Sequence, residues 1–301
     1  MMSSGLAELT LPTSGVGLID DLTYSYASNG RLTGTTDATS VDIGHISGAK
    51  AYTYDNNGNT LNSGTHFLQY NLLNLPKSIT TAEGVMSIEY AANGQKIRLN
   101  SSEELRYYSS GAEYKNGKID AVHLSEGRLS YTDGTARLEY VIRDHLGNTR
   151  ITFTDLNGDG VIDAKASGGE LLQENHYYPF GLNVNNPEYA STADPENRYQ
   201  YNGKENVSEL GIEMLDYGFR WYDPAIARFT TTDPLAEDYS FQSPYAYAAN
   251  NPIKFIDFMG LGPDDFIVRG TSEQKSALSD IINDHLGGAA TFSIGEGGKA
   301  N

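Results

Sequence analysis

Cysteine is absent from all 301 residues, which excludes a disulfide framework and any thiolate-held zinc. Basic residues are scarce: 21 Lys and Arg stand against 39 Asp and Glu, a formal charge of −18. That field repels a nucleic-acid backbone or an anionic membrane surface, so nucleic acid is excluded as a partner and cations or basic partners are favoured. No stretch approaches the roughly 18 apolar residues of a membrane-spanning helix. Residues 1–20 lack both a basic region and an apolar run, so they do not read as a signal peptide. The chain starts in mid-pattern and stops at Ala300-Asn301 without a closing element, so it reads as a piece of something longer.

What is abundant is tyrosine, 21 residues, and glycine, 32. That much aromatic side chain argues against disorder, and with few helix formers it reads as strands joined by tight turns. Four early segments align on a tyrosine: Tyr24 to Thr33, Tyr52 to Leu61, Leu68 to Lys77 and Ile88 to Ile97. Each places Asn-Gly or a near equivalent between alternating runs, the pattern of a hairpin with a type I′ turn. Arg137 to Thr154 is a further hairpin, turning at Asp144-His-Leu-Gly-Asn148. His145 within it is a catalytic candidate, but with no Ser or Cys elbow in view a capping or packing role suits it better.

The early segments resemble the YD repeats of the RHS family, roughly Tyr-x-Tyr-Asp-x-x-Gly-Arg-Leu-Thr; Tyr52 to Asn59 carries the fullest match. From Glu174 the resemblance sharpens. Glu174 to Gly181, Arg198 to Glu205, Leu215 to Phe229, Asp233-Pro-Leu and Ser243 to Asp257 follow in the order of the RHS repeat-associated core domain. Three parts are expected: YD-like repeats over 1–136, the core over 137–261, and the start of a variable C-terminal segment over 262–301. The fold class expected is all-β, an antiparallel hairpin shell, partial, with a short α/β tail. In the tail, Thr271 to His285 reads as a helix: Thr271 and Gln274 make a capping box, and Gly287-Gly288 stops it. Forty residues are too few to bury a core alone.

Two segments carry candidate chemistry. In Asp155-Leu-Asn157-Gly-Asp159-Gly-Val161-Ile-Asp163, oxygen donors fall at loop positions 1, 3, 5 and 9, with Gly160 at 6 and the Val161 carbonyl at 7. That is the spacing of a calcium loop. Position 12 is Ala166 where a bidentate Glu belongs, and Glu170 substitutes only in a longer loop. A metal-free, solvated Asx-rich hairpin loop is the alternative.

The second is the pair of turns at Asp233-Pro and Asp257-Phe-Met-Gly260-Leu261. By itself Asp-Pro marks only a turn. The resemblance implies more, since toxin-type RHS cores are similar to aspartic proteases that cut themselves after Leu in an Asp-Pro-x-Gly-Leu motif. On this chain the pair is Asp233 and Asp257, and the cut bond is Leu261–Gly262. Two carboxylates sharing a proton can activate water and protonate the departing amide. Phe258 replaces the family's Pro, which leaves the turn less pre-organised. Arg228 is expected either to orient a carboxylate or to form a salt bridge at a sheet edge. The family implies a bacterial protein that is secreted or at the cell surface. Its partners would be its own C-terminal effector and a secretion machinery or neighbouring cell. A non-catalytic adhesion or structural protein built from the same repeats is the alternative.

Overall fold

The computed structural model describes residues 20–39, 48–163, 169–184 and 196–262, and the backbone of the strands Glu8–Thr10 and Val16–Leu18. The expected helix near 271–285, Ala166 and the chain after Gly262 lie outside the described residues. Within them the regular structure is antiparallel β with three short 3-10 turns and no α-helix.

Thirteen strands, from Thr53–Tyr54 to Leu171–Glu174, form one meander in which each strand pairs with its neighbours in sequence. Its two end strands do not pair with each other, so the sheet is open, as a partial shell requires. Leu22–Tyr26, Leu32–Asp37 and Gly48–Ala51 form a three-stranded sheet. Glu205–Val207, Met214–Asp216, Trp221–Asp223 and Arg228–Phe229 form a four-stranded one.

Two turn chemistries build these hairpins. At Ser110-Gly111, Asn116-Gly117 and Asp133-Gly134 both central residues have positive φ, the type I′ geometry. The repeat turns differ from the type I′ expectation. In the turns starting at Ala27, Asp55, Asn71, Ala91 and Asp144, the first N–H bonds the carbonyl four residues on, and the fourth N–H bonds back to the first carbonyl. Only that fourth residue has positive φ: Gly30, Gly58, Asn74, Gly94 and Gly147. This is a three-residue loop ending in a bulge, and the strand register shifts beside each one. The Asp of the repeat has a role here. Asp55 Oδ1 accepts the Asn59 N–H at 2.8 Å and its Oδ2 accepts Asn59 Nδ2 at 2.9 Å. Asp144 holds Asn148 in the same way. His145 is exposed and bonds the Ile253 carbonyl at 3.4 Å.

One face of the long sheet is covered, and its chemistry changes along the way. Leu68, Ile79, Met86, Ile88 and Leu99 pack against Val207, Leu210, Ile212, Met214 and Trp221. Farther along, the buried side chains are charged: Arg106 meets Asp120 at 2.7 Å, and Arg128 meets Glu139 at 2.6 Å. Lys96 joins the two regions, bonding Glu205 at 2.6 Å and Asp216 at 2.8 Å. Tyr201, Tyr217, Tyr222, Phe229 and Tyr247 form a second cluster.

Candidate active site

The segment 257–262 is a buried, hydrogen-bonded turn. Met259 and Gly260 have φ of 53° and 77°, a type I′ pair closed by the Leu261 N–H on the Phe258 carbonyl at 3.0 Å. The Phe258 N–H also donates to the Gly262 carbonyl at 3.2 Å, a bond proline could not make. With Phe258 in place of the family's Pro, the turn is closed by these hydrogen bonds. Gly260 is required by space as well as by φ, since a Cβ there would lie 3.1 Å from the Arg220 backbone nitrogen.

Asp233 is 7% exposed and Asp257 2%. The structure brings Asp257 to the Leu261–Gly262 peptide and joins it to Asp233 through one arginine. Asp257 Oδ1 accepts the Gly262 N–H at 3.1 Å, which is the amide nitrogen that a cut after Leu261 would release. Asp257 Oδ2 and Asp233 Oδ2 converge on one guanidinium nitrogen, Arg220 Nη2, at 3.4 and 2.9 Å. Asp233 Oδ1 caps its own turn through the Leu235 N–H at 2.8 Å.

Arg228 does not perform the orienting role expected of it. Its guanidinium lies against Tyr26, bonding that hydroxyl at 2.8 Å, and reaches Ser243 at 3.4 Å. The cation between the carboxylates is Arg220, whose side chain is fully buried on the Phe229 ring, 3.7 Å from its centroid. Arg220 also donates Nε to the Gly260 carbonyl and Nη1 to the Pro244 carbonyl, so it ties together the two turns that carry the acids. An arginine inside the aromatic run Tyr217-Gly-Phe-Arg220-Trp-Tyr222 was the available signal, because a charge in a buried strand requires a partner.

Burial pushes the Asp257 carboxyl up to about 6; Arg220 and the Gly262 N–H oppose this, and Asp233 adds to it. Burial raises Asp233 as well, against the pull of Arg220. One cation between two carboxylates leaves a site that favours holding one proton. Its parts are a carboxyl that accepts the Gly262 N–H, a second carboxylate and a fixed cation.

In the loop 155–163 the carboxylates accept the loop's own N–H groups. Asp155 accepts the Gly158 and Gly160 N–H groups at 2.8 and 2.9 Å, and Asp159 accepts that of Val161 at 2.8 Å. Glu170 spans the loop's ends, accepting the Leu156 N–H at 3.0 Å and that of Asp163 at 2.7 Å. Among the described residues, no group of three or more His, Cys, Asp or Glu gathers as a metal site. No helix among them is long and apolar enough to cross a membrane.

No protein-family sequence profile matches the chain. It is 28% identical over 227 residues to toxin subunit YenC2 of Yersinia entomophaga, covering 67% of this chain and 22% of that protein. It is 27% identical over 130 residues to toxin subunit YenC1 of the same organism, covering 43% of this chain and 13% of that protein. Salivary gland surface protein 1 of Aedes aegypti is 31% identical over 117 residues, covering 39% of this chain and 3% of that protein. The chain thus spans less than a quarter of each relative's length. In structure it is similar to a chain of the Photorhabdus luminescens Tc holotoxin pore, with a TM-score of 0.59 at 16% identity over 90% of this chain and 14% of that one. It is also similar to a TcdB2–TccC3–Cdc42 crystal structure, with a TM-score of 0.55 at 16% identity over 86% of this chain and 14% of that one. The antiparallel β architecture of this chain is therefore that of a segment of these toxin-complex chains.

Proposed function

We propose that this chain is part of the β-shell of a secreted bacterial toxin complex of the RHS/YD-repeat kind. In this reading the shell encloses the chain's own C-terminal effector segment and frees it by cutting Leu261–Gly262. The similarity to two toxin subunits supports the toxin-complex part. The observation that carries the cleavage is the Asp257 carboxyl on the Gly262 amide nitrogen, with Arg220 joining it to Asp233.

Each residue's part follows from its position. Asp257, raised towards neutrality, holds the proton that the departing Gly262 nitrogen needs. Asp233, paired with Arg220 at 2.9 Å, is the carboxylate that takes a proton from the attacking water. Arg220 is a positioning residue that keeps the two carboxyls converged on the turn.

Intact mass of the purified chain, beside the Asp233→Asn and Asp257→Asn variants, tests the reading. Fragments ending at Leu261 and beginning at Gly262 are expected from the wild type, and intact chain from each variant. A folded wild type that stays whole would move the weight to a non-catalytic cell-surface protein, the reading favoured by the mosquito surface-protein similarity.

A further inference from the structure

The repeat hairpin that turns at Asp55–Asn59 is bonded to the segment that carries Asp233, although 175 residues separate Asn57 from Thr232. We propose that this hairpin is a positioning part of the cleavage site: it clamps the Asp233 turn, so the Leu261–Gly262 bond is cut only once the hairpin has docked. The inference rests on the self-cleavage reading and adds what controls it.

Three bonds make the clamp. The Thr60 N–H donates to the Thr230 carbonyl at 2.8 Å. The Tyr245 hydroxyl donates to the Gly58 carbonyl at 2.6 Å, and Thr232 Oγ1 donates to the Asn57 carbonyl at 3.5 Å. The rings of Tyr54 and Tyr245 pack beside them, 5.7 Å between centroids. Thr60, Thr230, Gly58 and Tyr245 are buried, so water competes little for the first two bonds.

These contacts reach Asp233 from two sides. Thr230 to Thr232 lead into it along the chain. Pro244, which precedes Tyr245, accepts the Asp233 N–H at 2.8 Å and Arg220 Nη1 at 3.2 Å on one carbonyl. Holding Tyr245 therefore holds the carbonyl that spaces Asp233 from Arg220. A displacement of about 1 Å between reacting groups can cost on the order of a hundredfold in rate.

Gly58 shows that the contact is built for docking. Its φ is +87°, and a Cβ there would lie 2.8 Å from both Thr232 Cγ2 and the Tyr245 hydroxyl. The turn by itself does not demand glycine, since Asn74 fills the same position of the next repeat turn at a φ of 57°. The missing side chain is thus a requirement of the close approach. That next turn also braces this one: Asn74 Oδ1 accepts Asn59 Nδ2 at 2.8 Å and Asn57 Nδ2 at 3.1 Å.

Cell-free synthesis of the 301-residue chain, with cleavage followed by intact mass, tests the clamp. Tyr245→Phe keeps the ring and removes one buried hydrogen bond, and cleavage is expected to slow about tenfold. Gly58→Ala should slow it at least as much. Gly147→Ala, at the same position of another turn with φ of +78° and its nearest contact at 3.9 Å, should leave the rate unchanged. Urea denaturation of each variant in an uncleavable Asp257→Asn background verifies that it is folded. Position has its own readout. Arg220 is the cation facing Asp233 and opposes the rise that burial causes, with Asp257 the facing acid. Loosening the clamp weakens that pull, so the acid limb of the pH profile should move to higher pH in Tyr245→Phe, by more than the limb that Asp257 sets at about 6. Tyr245→Phe and Gly58→Ala chains that cut as fast as a wild type that cuts would overturn this inference alone. Equal slowing in Gly147→Ala, or slowing with an unmoved acid limb, would do the same. A folded wild type that stays whole would overturn the self-cleavage reading, and this inference with it.

Discussion

If Asp257 supplies the proton that Gly262 needs, self-cleavage slows as pH rises through the Asp257 pKa. That pKa is about 6. Its protonated fraction then falls from about nine-tenths at about pH 5 to about one-tenth at about pH 7, a tenfold loss of the competent acid. Cleavage is expected to slow by about the same factor. The acid limb of the profile belongs to the pair, because Asp233 must be ionised to accept a proton from water. Stability follows the same direction. The folded value lies above the ordinary 3.8, so this carboxyl contributes stability that is full below about 3.8 and lost as pH passes about 6. The gap corresponds to about 3 kcal/mol. Cell-free synthesis into buffers spanning this range, with the fragments followed by gel and mass spectrometry, measures the rate. Asp257→Asn should be inactive at every pH and should lose most of the stability slope between about pH 4 and pH 7. A rate that stays flat or rises from about pH 5 to pH 8 would refute Asp257 as the proton donor.

Arg220→Met removes the shared cation from two buried carboxylates and is expected to cost about 3–5 kcal/mol in urea denaturation, whereas Arg228→Met should leave cleavage intact, because Arg228 reaches Tyr26 and Ser243. Gly262→Ala should block or strongly slow cleavage: φ there is +110° and a Cβ would sit 2.7 Å from the Tyr239 ring, and intact mass reads the outcome. Burial would raise the Glu205 pKa, but Lys96 and Arg198 outweigh it and hold it down at about 2. Lys96→Met is therefore expected to cost about 3–5 kcal/mol at neutral pH, with part of the difference vanishing as acid protonates Glu205. Calcium at millimolar levels is expected to bind through Asp155, Asn157, Asp159, the Val161 carbonyl and Asp163; no heat on titration, or heat unchanged by Asp159→Ala, would remove that expectation.

The β class and the hairpins were legible in the sequence because they are local. Alternation and Asn/Asp-Gly turns act over a handful of residues, and the Asp of the repeat closes its own loop from Asp55 to Asn59. Turn type was less legible. Asn-Gly at 57–58 and 116–117 looks alike, yet one forms a bulged three-residue loop and the other a type I′ turn, because strand register decides how many residues the loop must span. The two acids could be named from motif, but their cation could not. Arg220 and Arg228 each precede an aromatic residue in neighbouring strands. Only packing aims Arg220 across Phe229 to Asp233 and Asp257 and sends Arg228 outward to Tyr26. Likewise, the placement of Asp257 on the Gly262 nitrogen depends on a positive-φ turn held against Arg220. Local sequence thus determined where the chain turns, whereas contacts between residues far apart in sequence, which depend on how the sheets pack, decided which charges share a buried site.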